Sequence, residues 1–72
     1  MGKLKPILEL LLNGALSLEE FYEAYMEVRK NWIVDKDVDF TIKHLTSMVC
    51  HERCSESDAV RLIKEITDKY YA

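Results

Sequence analysis

The chain has 72 residues, of which 49% are hydrophobic and 32% are charged, and its formal net charge is −3. A chain this short is expected to form one domain, over residues 1–72, and lies near the lower limit of what a single core stabilises. Its two cysteines are too few for a secreted disulfide framework. The acidic balance argues against nucleic-acid binding, and the apolar runs are too short to cross a bilayer. With no signal-peptide pattern, these features predict a small cytoplasmic protein.

Apolar residues recur at three- and four-residue spacing along the chain, which is typical of amphipathic α-helices. The spacing predicts four helices, over about residues 5–13, 18–33, 38–54 and 56–71. Four short helices joined by tight loops predict an all-α fold, a small antiparallel four-helix bundle. The apolar face of the first helix is wider than one packing seam needs, so it lies either at the centre of the bundle or partly against another chain.

Helix ends are marked by residues that favour caps. Gly14 is expected to end the first helix. Ser17 and Glu20 match a capping box at the start of the second, and Asp37 or Asp39 is expected to be the N-cap of the third. Inward-facing residues are predicted to include Leu18, Phe21, Tyr25, Val28 and Trp32 on the second helix, Val38, Ile42, Leu45, Met48 and Val49 on the third, and Ala59, Leu62, Ile63, Ile66 and Tyr70 on the fourth.

A calcium loop is one interpretation of Asp35, Asp37 and Asp39, which have the spacing of its first ligands. Such a loop also needs a glycine at its sixth position and a glutamate at its twelfth, where this chain has Phe40 and Thr46. Capping and solvation of a helix start explain the three aspartates better.

Four residues could bind a metal such as zinc through nitrogen or sulfur: His44, Cys50, His51 and Cys54. All four are predicted to lie on one helix, from which a single chain cannot complete the tetrahedral coordination of zinc. A metal shared between two chains stays open as an alternative to half-buried cysteines and surface histidines. We find no pattern of nucleophile, base and oxyanion site, so neither an enzyme nor a cofactor is predicted.

Acidic residues are unevenly distributed. Residues 17–28 contain four glutamates and no basic residue, a local charge of −4. Glu20, Glu23 and Glu27 project from one side of the second helix, where like charges at this spacing repel. Further acids lie near the loops, at positions Glu52, Glu56 and Asp58. This distribution is either a solvated face or a docking surface for a basic partner.

The segment from Leu10 to Phe21, LLLNGALSLEEF, resembles the opening of the colicin D-type immunity proteins, which are also called self-protective colicin-like immunity proteins. The best match is Ser17-x-x-Glu20-Phe21, and the helix continues to Arg29 and Lys30 as in that family. Residues 60–66 resemble the final helix of the family. The resemblance implies a four-helix bundle that binds the cytotoxic domain of a bacteriocin, often a tRNase, and blocks its basic active site with acidic side chains.

Two functions are therefore expected as alternatives. The first is a bacterial immunity protein that inhibits a basic toxin nuclease domain. Its partner-binding residues would be Glu20, Glu23, Glu27, Glu52, Glu56 and Asp58. The second is a homodimeric helical module, regulatory or involved in assembly, of phage or plasmid origin. It is suggested by the wide apolar face of the first helix and by a second face on the third, formed by Phe40, His44 and His51.

Overall fold

The structure, a computed structural model, describes residues 4–71 except for the side chain of Tyr71. Residues 1–3 and 72 of the predicted domain therefore lie outside the described residues. The described residues form four helices: α1 (Leu4–Leu12), α2 (Leu18–Asn31), α3 (Lys36–Cys50) and α4 (Glu56–Tyr71). Each helix packs against two neighbours, in the order α1–α2–α3–α4 and back to α1. The predicted all-α four-helix bundle is confirmed.

The core is built from one apolar stripe of each helix, as the amphipathic spacing predicts. On α1 the stripe is narrower than the apolar sequence, because Leu10 and Leu12 stay 41% and 38% exposed. Phe21 and Tyr25 stack in the centre, with ring centroids 6.3 Å apart. The buried apolar residues are Leu4, Leu8, Leu11, Leu18, Phe21, Tyr25, Val38, Ile42, Leu45, Ala59 and Ile63.

Two threonines are buried with these apolar residues, which the apolar pattern does not indicate. Thr46 and Thr67 are 8% and 0% exposed. The hydroxyl of Thr46 donates to the carbonyl of Ile42 at 2.7 Å, and that of Thr67 donates to the carbonyl of Ile63 at 2.9 Å. A hydroxyl bonded one turn back along its own helix avoids the cost of an unpaired buried polar group.

The capping prediction holds for α2 and is wrong for α3. Ser17 and Glu20 form the predicted capping box. At α3, however, the N-cap is Asp35, whose carboxylate accepts the backbone N–H of Asp37 at 2.9 Å. Asp39 is a full turn inside the helix and does not cap it, because its carboxylate bonds to side chains of α2.

Helices α2 and α3 end earlier than the spacing predicts. Trp32 is the C-cap of α2 and has extended backbone angles, so the helix stops before it. The helix α3 ends at Cys50, His51 is its C-cap, and Cys54 lies in the following loop. The prediction that His44, both cysteines and His51 share one helix is therefore wrong.

Leu62 and Tyr70 differ from their predicted inward orientation on α4. They are 36% and 38% exposed. Residues Ala59 and Ile63 fill the core from α4 instead. Both exposed side chains lie on the α3 side of α4, where Leu62 borders a groove and the Tyr70 hydroxyl donates to Asp37.

The ends of α1 and α3 share one hydrogen-bond pattern, the Schellman motif, in which one residue adopts a left-handed conformation. That residue is Gly14 after α1, with φ 85°, and Glu52 after α3, with φ 58°. The next N–H bonds back to the last turn, at 2.9 Å for Ala15 and 2.8 Å for Arg53. Glutamate pays a steric penalty in this conformation that glycine avoids, so the loop after α3 stores backbone strain.

Exchanging the residue types at these two left-handed positions should change stability in opposite directions. Gly14→Ala should destabilise the fold by about 1 kcal/mol and Glu52→Gly should stabilise it by up to about 1 kcal/mol. An added Cβ at Gly14 meets no atom within 4 Å, so its cost comes from the backbone conformation alone. Urea denaturation measures both changes, and a loss of stability in Glu52→Gly would contradict the strain at this loop.

Candidate protein-binding groove

The carboxylate of Asp39 joins α3 to α2. The hydroxyl of Tyr25 donates to one oxygen, Oδ1, which also receives Arg29 Nε at 3.1 Å. The other oxygen receives Lys43 Nζ at 3.0 Å. Tyr25 and Arg29 are one turn apart on α2, and Asp39 and Lys43 are one turn apart on α3, so helical spacing brings all four groups to one place. This arrangement fixes the distance between the two helices.

The Asp39 cluster shifts two pKa values in opposite directions. Burial raises the pKa of Asp39, but the hydrogen bonds from Tyr25 and Lys43, with the charges of Arg29 and Lys43, outweigh it, and the net pKa lies below the ordinary value. Burial, followed by the bond to Asp39, raises the pKa of the Tyr25 hydroxyl. At neutral pH the cluster is therefore an ionised carboxylate held by a neutral phenol and two cations.

An open groove follows the α2–α3 seam beyond this cluster and reaches the start of α4. It consists of two hollows, of about 470 Å³ and about 220 Å³, which share Glu19, Thr46 and Cys50 in their walls. Tyr22 lines the larger hollow, and Leu18 and Val49 line the smaller one. We call the two hollows together the α2–α3 groove. The groove is thus lined by both apolar and acidic side chains.

Three carboxylates border the α2–α3 groove: Glu19 and Glu23, one turn apart on α2, and Glu56 at the first residue of α4. All three are exposed. Within the described part of the chain, no cationic side chain lies within salt-bridge distance of them. The groove also has a lysine, Lys43, which bonds Asp39. The groove therefore carries negative charge that the fold itself does not use.

The other predicted partner-binding acids are engaged locally, apart from Glu52. Glu20 accepts the backbone N–H of Ser17 at 2.9 Å, and this bond, with the one from the Ser17 hydroxyl, lowers its pKa. Glu27 pairs with Lys30 at 3.1 Å, and Asp58 lies 3.6 Å from Arg61. Of the six predicted residues, the structure places Glu23 and Glu56 in the α2–α3 groove.

The sequence pattern predicts Glu52 as a partner-binding residue and does not predict Glu19, whereas the structure places only Glu19 of the two in the groove. Glu52 is exposed in the strained loop between α3 and α4, outside the groove walls. Glu19 lines both hollows, but its sequence position next to the N-cap suggests only a favourable interaction with the helix N-terminus. Its spacing of four residues from Glu23 is the signal that identifies it as a groove residue.

The cysteines and histidines do not come together in the described part of the chain. Cys50 and Cys54 are free thiols, and Cys50 lies in the groove wall. Residues 4–71 contain no cluster of three or more His, Cys, Asp or Glu side chains able to hold a metal ion. His44 stacks on Phe40, on the opposite side of α3 from Cys50.

Comparisons with protein families, with curated proteins and with solved structures found no match. None of the described helices is both long enough and apolar enough to span a membrane.

Replacing Asp39 by asparagine should make stability less dependent on acid pH. A carboxyl whose native pKa is lowered stabilises the fold above its unfolded pKa of about 3.9, and this contribution is lost as pH falls through the native pKa. At pH 7, Asp39→Asn should cost about 1 kcal/mol, since the partly exposed Arg29 and Lys43 are screened. The difference from wild type should shrink below about pH 4.

Urea denaturation of both proteins from about pH 7 to about pH 2.5 measures this difference. Asp68→Asn is the control, because it removes an exposed ion pair with Lys64 on α4 and should change stability little at any pH. A gap between wild type and Asp39→Asn that stayed constant across the range would contradict the ionised Asp39 cluster.

Proposed function

We propose that this chain is a non-catalytic binding protein whose α2–α3 groove receives a positively charged segment of another protein. The observation that carries the proposal is the set of three exposed carboxylates, Glu19, Glu23 and Glu56, that border one concave surface without a cationic partner in the described chain. Like charges brought together on a surface repel, so a basic partner would relieve this repulsion as well as bind.

The form of the groove supports a protein partner over a small ion. Its two hollows run along the helices, and the rings and aliphatic groups of Leu18, Tyr22 and Val49 offer apolar contacts beside the carboxylates. Apolar contacts flanked by charge are typical of protein interfaces, where the charges speed association and favour the correct partner. A basic side chain entering the groove would meet carboxylates from both α2 and α4.

The partner class that we propose is the basic nuclease domain of a bacteriocin, with this chain acting in the bacterial cytoplasm as its immunity protein. The match of Ser17-x-x-Glu20-Phe21 to the colicin D-type immunity proteins supports this class. A nuclease active site is rich in cations because it holds phosphates, so an acidic groove is complementary to it. Glu52 supports the same function, since a glutamate in a left-handed conformation that glycine adopts without strain suggests a role for its carboxylate.

Protection of cells tests the biological role. We expect a strain that expresses this chain to survive a colicin D-type tRNase domain that kills the parent strain. The panel should contain several such domains, because the sequence does not identify the partner. A toxin gene adjacent to the gene for this chain identifies the first domain to test. Failure to protect against the neighbouring toxin, together with failure to bind it, would contradict the proposal.

Neutralising the groove should weaken binding to the protective tRNase domain more than neutralising acids elsewhere. The groove variant combines Glu19→Gln, Glu23→Gln and Glu56→Gln. The control combines Glu9→Gln, Glu27→Gln and Asp68→Asn, three exposed acids outside the groove, so both variants have the same net charge. We expect the groove variant to lose about tenfold or more in affinity at low salt, and the control much less.

Isothermal titration calorimetry at about 0.05 M and about 0.5 M salt measures these affinities, and the wild type should bind more weakly at the higher salt because the charges are screened. If the two variants lost equal affinity, the effect would come from overall charge, and the groove would not be the binding site. Affinity that did not change with salt would reject electrostatic recognition.

A further inference from the structure

A second groove lies between α3 and α4 and is mainly apolar. It has a volume of about 370 Å³ and is lined by Phe40 and His44 from α3 and by Leu62 and Ile66 from α4. The phenylalanine is 66% exposed, and its ring stacks on His44 with centroids 5.5 Å apart and planes at 8°. The stack holds the phenylalanine ring beside the groove as a protruding side chain. One face thus contains both a projection and a hollow.

Opposite charges border this groove on α4. Glu65 and Lys69 are both exposed and lie one turn apart in its wall. The helices run antiparallel, because the hydroxyl of Tyr70, near the end of α4, donates to Asp37, near the start of α3, at 2.5 Å. Phe40, almost one turn after Asp37 on α3, is therefore level with the part of α4 between Glu65 and Lys69, and Leu62 is toward the other end of the groove.

We infer that this groove binds a second copy of the same chain to form a twofold-symmetric dimer. A twofold axis that lies in the interface and crosses the groove between Glu65 and Lys69 reverses the direction of the groove, so Lys69 of each copy lies opposite Glu65 of its partner. Phe40 is level with this axis, so the exposed rings of the two copies meet each other. The face is therefore complementary to itself in charge, and the apolar ring at its centre is covered by its own copy.

Dimer formation removes the exposed ring from water and leaves the α2–α3 groove accessible, since the two grooves share no lining residue. The inference therefore does not depend on the proposed function. One face of two short helices buries an area at the low end of specific interfaces, so the dimer should form reversibly with concentration. It agrees with the homodimer that the sequence suggests through Phe40 and His44, but without His51, which is outside this groove.

Sedimentation equilibrium of the full chain from micromolar to millimolar concentration tests this dimer. The mass should rise from 8.5 kDa toward twice that value. Phe40→Ala should raise the dimer dissociation constant by about tenfold or more, as expected for losing a central aromatic side chain. Ile33→Ala is the matched control, because Ile33 is 93% exposed on the α2–α3 loop and should leave the constant unchanged.

Charge exchange distinguishes a second copy from any other occupant. Glu65→Lys and Lys69→Glu should each weaken the dimer, because each places like charges across the twofold axis. The double variant should recover dimerisation, because opposite charges then face each other again. Circular dichroism checks the helices, since Glu65 also pairs with Arg61 at 3.5 Å. A monomer at millimolar concentration, an unaffected Phe40→Ala variant, or a double variant no better than either single one would overturn the inference.

Discussion

The arrangement of α2 and α3 depends on the contacts that the carboxylate of Asp39 on α3 makes with Tyr25 and Arg29 on α2. The Asp39 side chain is only 19% exposed, and it accepts from a phenol and two cations at once. An ionised carboxylate removed from water is costly unless each oxygen is bonded, and here Tyr25, Arg29 and Lys43 provide those bonds. Because Tyr25 is fully buried at the centre of the core, Asp39 ties the polar seam directly to the apolar interior.

This cluster also decides which charges remain available to a partner. Lys43 lies in the wall of the α2–α3 groove, where it would neutralise the neighbouring glutamates if its ammonium were turned toward them. Its bond to Asp39 uses that ammonium within the fold, so Glu19 and Glu23 have no cationic partner within the described residues. The acidic character of the groove is thus a consequence of how α2 and α3 are held together. Net charge alone, at −3, does not reveal it.

Periodic spacing is sufficient to predict the fold, because each helix buries a stripe that repeats at three and four residues. The capping box at Ser17 and the turn at Gly14 are local signals and are equally readable. Asp39 is not, since an aspartate near a helix start has the same local pattern whether it caps the helix or bonds across to another one. The early end of α3 at Cys50 cannot be predicted either, because glutamate at position 52 carries no signal for the left-handed conformation that it adopts after the helix. For the groove, sequence identifies a surplus of glutamates on α2, but tertiary packing selects those that share one surface.

An acid titration of Asp39, followed through its side-chain carboxyl carbon by NMR, tests whether this carboxylate holds α3 against α2. We expect a midpoint below the ordinary aspartate value in the wild type and a higher midpoint in Tyr25→Phe, which loses one hydrogen bond to the ionised form. The amide resonances of the groove residues should shift with the same midpoint, because Asp39 positions α3 against α2. A wild-type midpoint at or above the ordinary value, or a midpoint that Tyr25→Phe leaves unchanged, would contradict this role of Asp39.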